Sequence, residues 1–135
     1  MIRLLLIVGV LVLLASACKG VCDSLQFHYG TSFAADFDNR QWWDPAVSWR
    51  NKYELGEKQY GERFPGSATV FVFLTDAWHF FQMLEARLQD AAIATLLLLP
   101  AALTSRRKVW VLGAVFMVGL FCLRALGFHL TYTLL

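Results

Sequence analysis

Val70-Phe71-Val72-Phe73-Leu74-Thr75-Asp76-Ala77-Trp78-His79-Phe80-Phe81-Gln82-Met83-Leu84-Glu85-Ala86-Arg87-Leu88-Gln89-Asp90 is the stretch that decides how the chain is read. At about 100° per residue, a helix here puts Asp76, His79, Met83, Arg87 and Asp90 on one face. Gln82, Glu85 and Gln89 fall on the adjoining sector, and Phe73, Ala77, Phe80, Phe81, Leu84 and Leu88 take the rest. A helix half Phe and Leu and half charged cannot face lipid all round, so its polar side needs protein or water beside it. Working outward, Phe64-Pro65-Gly66 is a break and Ser67 a cap. The helix is then expected over 67–103, thinned by Pro100 near its lower end.

Composition sets the solvent. Hydrophobic residues make up 58% of 135 and charged residues 16%, a balance that belongs to a membrane protein rather than a soluble domain. The net charge of +2 argues against a nucleic-acid partner. Length allows one domain. Cys18, Cys22 and Cys122 form neither a disulfide framework nor a zinc-ligand spacing.

Before the central stretch lie an apolar segment and a polar one. After Arg3 no charge occurs until Lys19, so a span is expected over about 2–22. The alternative is a signal segment cleaved at Cys18, to which Ala15-Ser16-Ala17-Cys18 is a loose fit. Residues 23–66 form the polar segment, with six acidic and five basic residues between Asp36 and Arg63 and with Trp42, Trp43 and Trp49. Asp44-Pro45 reads as a helix start, and a short helix from Pro45 to about Glu54 follows. The tryptophans suit either the headgroup level or a small core of the segment's own.

Beyond the central stretch, Arg106-Arg107-Lys108 is a short basic turn, which stays in the cytoplasm. A last span is expected over 109–130. The expectation is therefore an all-α membrane protein with three transmembrane helices, spanning about 2–22, 67–104 with its first part above the membrane, and 109–130. The amino terminus lies inside; the mixed helix and loop cap at 23–66 and the carboxyl terminus lie outside. Counting about 20 residues per 30 Å core upward from Thr104 puts Glu85 near the outer boundary and Arg87 and Asp90 in the outer leaflet. By the same count Arg124 is in the outer leaflet, and His28, His129, Asp23, Asp76 and His79 gather at the outer surface.

That level is where chemistry is expected. Asp76 and His79, one turn apart, are the catalytic candidates, the carboxylate fixing the imidazole tautomer of a general base. With His28 or His129 they make a set of nitrogen and oxygen ligands for zinc. Their placement is equally what an interface tolerates without any site. Arg87 and Asp90, spaced i, i+3, are expected to form an ion pair that Arg124 joins. Signatures of soluble catalysis, among them GlyXSerXGly, a phosphate loop and HisGluXXHis, do not occur.

Leu25-Gln26-Phe27-His28-Tyr29, Trp49-Arg50-Asn51-Lys52-Tyr53, Phe64-Pro65-Gly66-Ser67 and the run from Val70 to His79 resemble a group of short, uncharacterised bacterial integral membrane proteins with no assigned activity. The resemblance covers most of residues 23–83. It implies a bacterial, membrane-bound origin and carries over no functional residue; with the topology above, the expected location is the bacterial cytoplasmic (inner) membrane. Two functions are expected. One is a non-enzymatic accessory or scaffold subunit whose aromatic cap contacts lipid headgroups, a membrane-protein partner or another copy of the chain. The other is a membrane-boundary metal-binding protein or hydrolase using Asp76 and His79 with a further histidine.

Overall fold

The computed structural model describes residues 2–97 and 106–134. The chain is all-α. There are three long helices, α1 (Ile2–His28), α4 (Ala77–Leu97) and α5 (Arg106–Leu134); a segment of short turns that holds α2 (Arg40–Trp43) and α3 (Pro45–Ser48) joins α1 to α4. Among the described residues the single β feature is an isolated antiparallel bridge between Tyr53 and Glu62. Pro100 and Thr104 lie outside the described residues, and Arg106, Arg107 and Lys108, expected as a turn, are instead the first residues of α5.

α1 is the axis. It runs from Ile2 without a proline, and its end is closed locally: the Ser32 amide donates to the His28 carbonyl at 3.0 Å, and the Ser32 hydroxyl to that of Tyr29 at 2.9 Å. Those bonds satisfy carbonyls that a helix end leaves open. α4 and α5 both pack chiefly on α1, and they do so on nearly opposite faces.

Towards α5 the contact is made by small residues. A Cβ placed on Gly20 would lie 2.6 Å from Thr131 Cβ, and one on Gly127 would lie 2.9 Å from the Leu13 carbonyl oxygen and 3.0 Å from Ser16 Cβ. The two helices run parallel with their backbones in close approach, a packing mode that small residues permit. Towards α4 the face is Ala15, Cys18, Cys22 and Leu25, all buried. The Cys22 thiol reaches the Trp78 carbonyl at 3.6 Å. Leu25, Ala34 and Ala77 form a core to which Val21, Tyr29, Trp42, Trp43, Trp78 and Phe81 add.

The expected helix from Ser67 is corrected in its first part. Residues 67–75 are turns with a 3-10 turn at Val72–Leu74, and α4 starts only at Ala77. The start is fixed by Asp76, whose Oδ1 accepts the His79 amide at 2.9 Å. This is N-capping, for which the carboxylate must sit just outside the helix. Ser67 is not a cap. Fully buried, its hydroxyl donates to the Lys52 carbonyl at 2.6 Å and ties the two limbs of the cap together.

The start at Pro45 is as expected: Asp44 Oδ1 accepts the Ala46 amide at 3.0 Å, with Pro45 in the first turn. The helix passes into a 3-10 turn, Trp49–Lys52, and stops there. A tight reversal then brings the Glu54 amide to the Gly61 carbonyl and the Arg63 amide to that of Lys52, both at 3.0 Å. Gly56 and Gly61 take left-handed backbone there, and so does Leu55, at φ 52°.

α1 is long and apolar enough to cross a membrane, and it is the one such helix among the described residues. A shorter apolar helical stretch covers Val118–Thr131. A signal sequence near an amino terminus can be as long and as apolar as α1.

Candidate functional site

The Asp76–His79 pair forms as the spacing suggests, and it is more closely tied than a shared helix face requires. Asp76 is buried, 2% exposed, beneath the cap. Besides the His79 amide, its carboxylate faces His79 Nδ1 at 2.8 Å from Oδ1 and 2.7 Å from Oδ2. The Thr75 hydroxyl lies between Asp76 Oδ2, at 3.1 Å, and the Val72 carbonyl, at 2.7 Å, and its one hydrogen serves either acceptor in turn. Burial pushes the Asp76 carboxyl pKa up, but the bonds from the His79 ring and amide, with that of Thr75, outweigh it and hold the group below its ordinary value.

The other imidazole nitrogen is also engaged. Lys52 Nζ lies 3.3 Å from His79 Nε2. An ammonium can only donate, so Nε2 accepts and Nδ1 carries the hydrogen given to Asp76. The chain Asp76–His79–Lys52 thus fixes the orientation of the imidazole. The Trp78 ring meets the imidazole edge-on, with centroids 4.7 Å apart.

The rest of the cap is built on the same ground. Asn51 Nδ2 donates to the Thr75 carbonyl at 2.7 Å and to that of Gln41 at 2.6 Å, joining the start of α4 to α2. Trp42 lies tilted against Phe80 and Trp43 against Phe81, with centroids 6.3 and 6.1 Å apart. These two tryptophans make the cap's own core. Trp49, beside Tyr53 at 6.4 Å, is 45% exposed and faces outward with Leu55 and Tyr60.

His28 ends α1 and is exposed; His129 lies exposed on α5. Among the described residues no three of His, Cys, Asp and Glu come together so as to hold a metal. The geometry at His79 also disfavours zinc: one ring nitrogen faces a carboxylate, and a cation on the other would sit beside the Lys52 ammonium. The residues present do not fit the metal.

Arg87 and Asp90 do pair, at 3.1 Å, but on the outward side of α4, with side chains 70% and 61% exposed. Arg124 does not join them. Its guanidinium lies 3.9 Å from Glu85, whose side chain is only 15% exposed and accepts from Gln89 at 2.9 Å. It is thus the adjoining sector, Glu85 and Gln89, that turns toward the helices.

Two contacts escaped the reading of the sequence, Lys52 with His79 and Lys19 with Asp23. Lys52 is brought to His79 only by the folding of the cap, and nothing local announces it. Lys19 and Asp23 form an ion pair, and their i, i+4 spacing was the available signal. They line a groove of about 360 Å³ with Ser16, Phe121, Arg124 and Phe128, between α1 and α5. Comparison with protein families, curated proteins and solved structures gave no match.

Proposed function

We propose that the chain is a small integral membrane protein of the bacterial cytoplasmic membrane, acting as a non-enzymatic accessory or scaffold subunit. In this reading α1, α4 and α5 each cross the bilayer, with the amino terminus inside and the cap outside. The central position of α1 supports it. A segment cleaved at Cys18 would take with it Val8, Ala15 and Ser16, which are buried against the other helices. The outward aromatic surface of the cap, with Trp49, Tyr60 and Phe71 exposed, suits contact with headgroups or a partner.

The observation that carries the non-enzymatic reading is the engagement of His79 on both sides. A general base needs a free nitrogen facing substrate; here Asp76 holds one and Lys52 the other. The network closes the start of α4 and fastens the cap to it.

The depth of α4 changes with this arrangement. Cys22 meets Trp78, and α1 and α4 are antiparallel. Stepping down both helices residue for residue brings Asp90 level with Val10, in the middle of the apolar run of α1. Arg87 and Asp90 then lie near the bilayer centre rather than in the outer leaflet, where each charge costs roughly 2.5–3.5 kcal/mol on insertion scales.

Thermal unfolding of the detergent-solubilised chain with and without equimolar zinc tests the reading against its rival. An unchanged midpoint is expected. A midpoint raised by zinc, and not raised in His79→Gln, would establish metal binding instead.

A further inference from the structure

The cap holds a cleft that the Asp76–His79 network does not use. The reversal after Lys52 pairs its own two limbs: Tyr53 faces Glu62 in the isolated bridge, and the Arg63 amide reaches the Lys52 carbonyl at 3.0 Å. Arg50 and Arg63 are thereby brought to one cleft of about 450 Å³, which Gln41, Asn51, Tyr53 and Glu54 line with them. Its wall is fixed. Asn51 gives both amide hydrogens to backbone carbonyls, and its Oδ1 accepts from Gln41 Nε2. Leu55, also at the cleft, holds left-handed backbone at φ 52°, a conformation that persists only where its surroundings impose it.

Two positive charges meet there without a counter-ion. Among the described residues Arg50 and Arg63 form no ion pair, and Glu54 on the same wall is too far from either guanidinium to make one. Arg50 lies over the Trp49 ring at 5.5 Å, which uses the face of the guanidinium and leaves its N–H edge for an anion. A carboxylate is saturated by one such fork, whereas a phosphate has oxygens for two. The cleft is also far roomier than a bare phosphate needs, and its size is that of a small-molecule site. Its remaining side chains are mostly polar, and Glu54 accepts from a hydroxyl but repels a second anionic group.

We propose that this cleft binds a phosphate ester with a small hydroxyl-bearing remainder, its phosphate held between Arg50 and Arg63. The inference rests on the accessory reading and names what the outer cap contacts. The same chemistry is offered by a phosphoglycerol lipid headgroup and by a free glycerol phosphate.

The test uses the full chain. First, alkaline carbonate should leave the protein in the membrane; its release would overturn the membrane reading itself, before any ligand is tried. The retained protein is then taken into detergent and titrated calorimetrically with glycerol 3-phosphate and, separately, with short-chain phosphatidylglycerol below its micelle concentration. Saturable binding of at least one is expected, and the one bound more tightly identifies the source. Arg50→Gln and Arg63→Gln should each weaken it roughly tenfold or more, as loss of a charge-assisted bond requires. Arg40→Gln should leave it unchanged, since Arg40 already faces Asp44 at 2.7 Å. Both cleft arginines are exposed, so their loss leaves the buried bonds of the cap in place. A membrane-retained protein that binds neither probe would overturn the inference. So would binding that survives both arginine changes undiminished, or equal binding of hexanoylglycerol, which lacks the phosphate.

Discussion

Gly20 of α1 and Thr131 of α5 approach so closely that no side chain fits between them: a Cβ on Gly20 would lie 2.6 Å from Thr131 Cβ and 3.1 Å from the Phe128 carbonyl oxygen. The obstacle is branched side chain and backbone, not the end of a flexible chain, so the helices must part to admit a methyl group. Gly20→Ala should therefore destabilise the protein by about 1–3 kcal/mol, the usual cost of overpacking. Gly119→Ala, where a Cβ meets nothing within 4 Å, should be neutral or gain up to about 1 kcal/mol from helix propensity. Thermal unfolding in one detergent compares them, and equal effects would mean that the α1–α5 seam is not closed in solution.

Removing the Asp76 carboxylate should be costly in a specific way. Asp76→Ala loses the cap of α4 and leaves the His79 amide and ring Nδ1 without their acceptor, while Thr75 keeps the Val72 carbonyl, for a cost of about 1–3 kcal/mol. Lys52→Met, which loses only the outer end of the chain, should cost less. A smaller loss for Asp76→Ala than for Lys52→Met would show that the carboxylate is not the anchor.

Acid should act through the same residue. The Asp76 carboxyl sits below its ordinary value of 3.8 in the folded protein. A group whose folded pKa is depressed stabilises the fold above its unfolded pKa and loses that contribution as pH falls through the folded value. Stability should thus be flat for this group at neutral pH and decline below about pH 4, more steeply in the natural protein than in Asp76→Asn. Parallel acid profiles for the two would remove Asp76 from the account.

Ser67→Ala should loosen the cap without touching the helices. Its hydroxyl is fully buried and its bond to the Lys52 carbonyl joins residues far apart in the chain. A loss of about 0.5–1.5 kcal/mol is expected, together with faster proteolysis around Lys58 and Arg63. Unchanged proteolysis would mean that the cap is held elsewhere.

What the sequence disclosed was local. Asp44-Pro45 was legible because cap and first turn are neighbours in the chain, so no tertiary contact is needed to place them. Asp76 and His79 were legible as a pair, but three residues apart is both the spacing of a helix face and that of a cap to its third amide. The run Val70-Phe71-Val72-Phe73 fits a helix as well as a turn, so the earlier start at Ser67 was the natural reading. Which sector of α4 turns inward was hidden for a related reason. Both sectors carry polar groups, and the choice falls to Ala77 and Ala92, whose small size lets α4 close on α1. Lys52 and the Gly20–Thr131 contact depend on how distant segments meet, which no local pattern encodes.

Everything proposed for this protein requires that α1 is retained as the axis of the bundle. Intact mass spectrometry of the chain extracted from membranes tests it most directly. The expected species keeps residues before Cys18, is close to the full 15.3 kDa, and resists alkaline carbonate. A mature species beginning at Cys18 would contradict it, because Val8, Ala15 and Ser16 could then bury nothing.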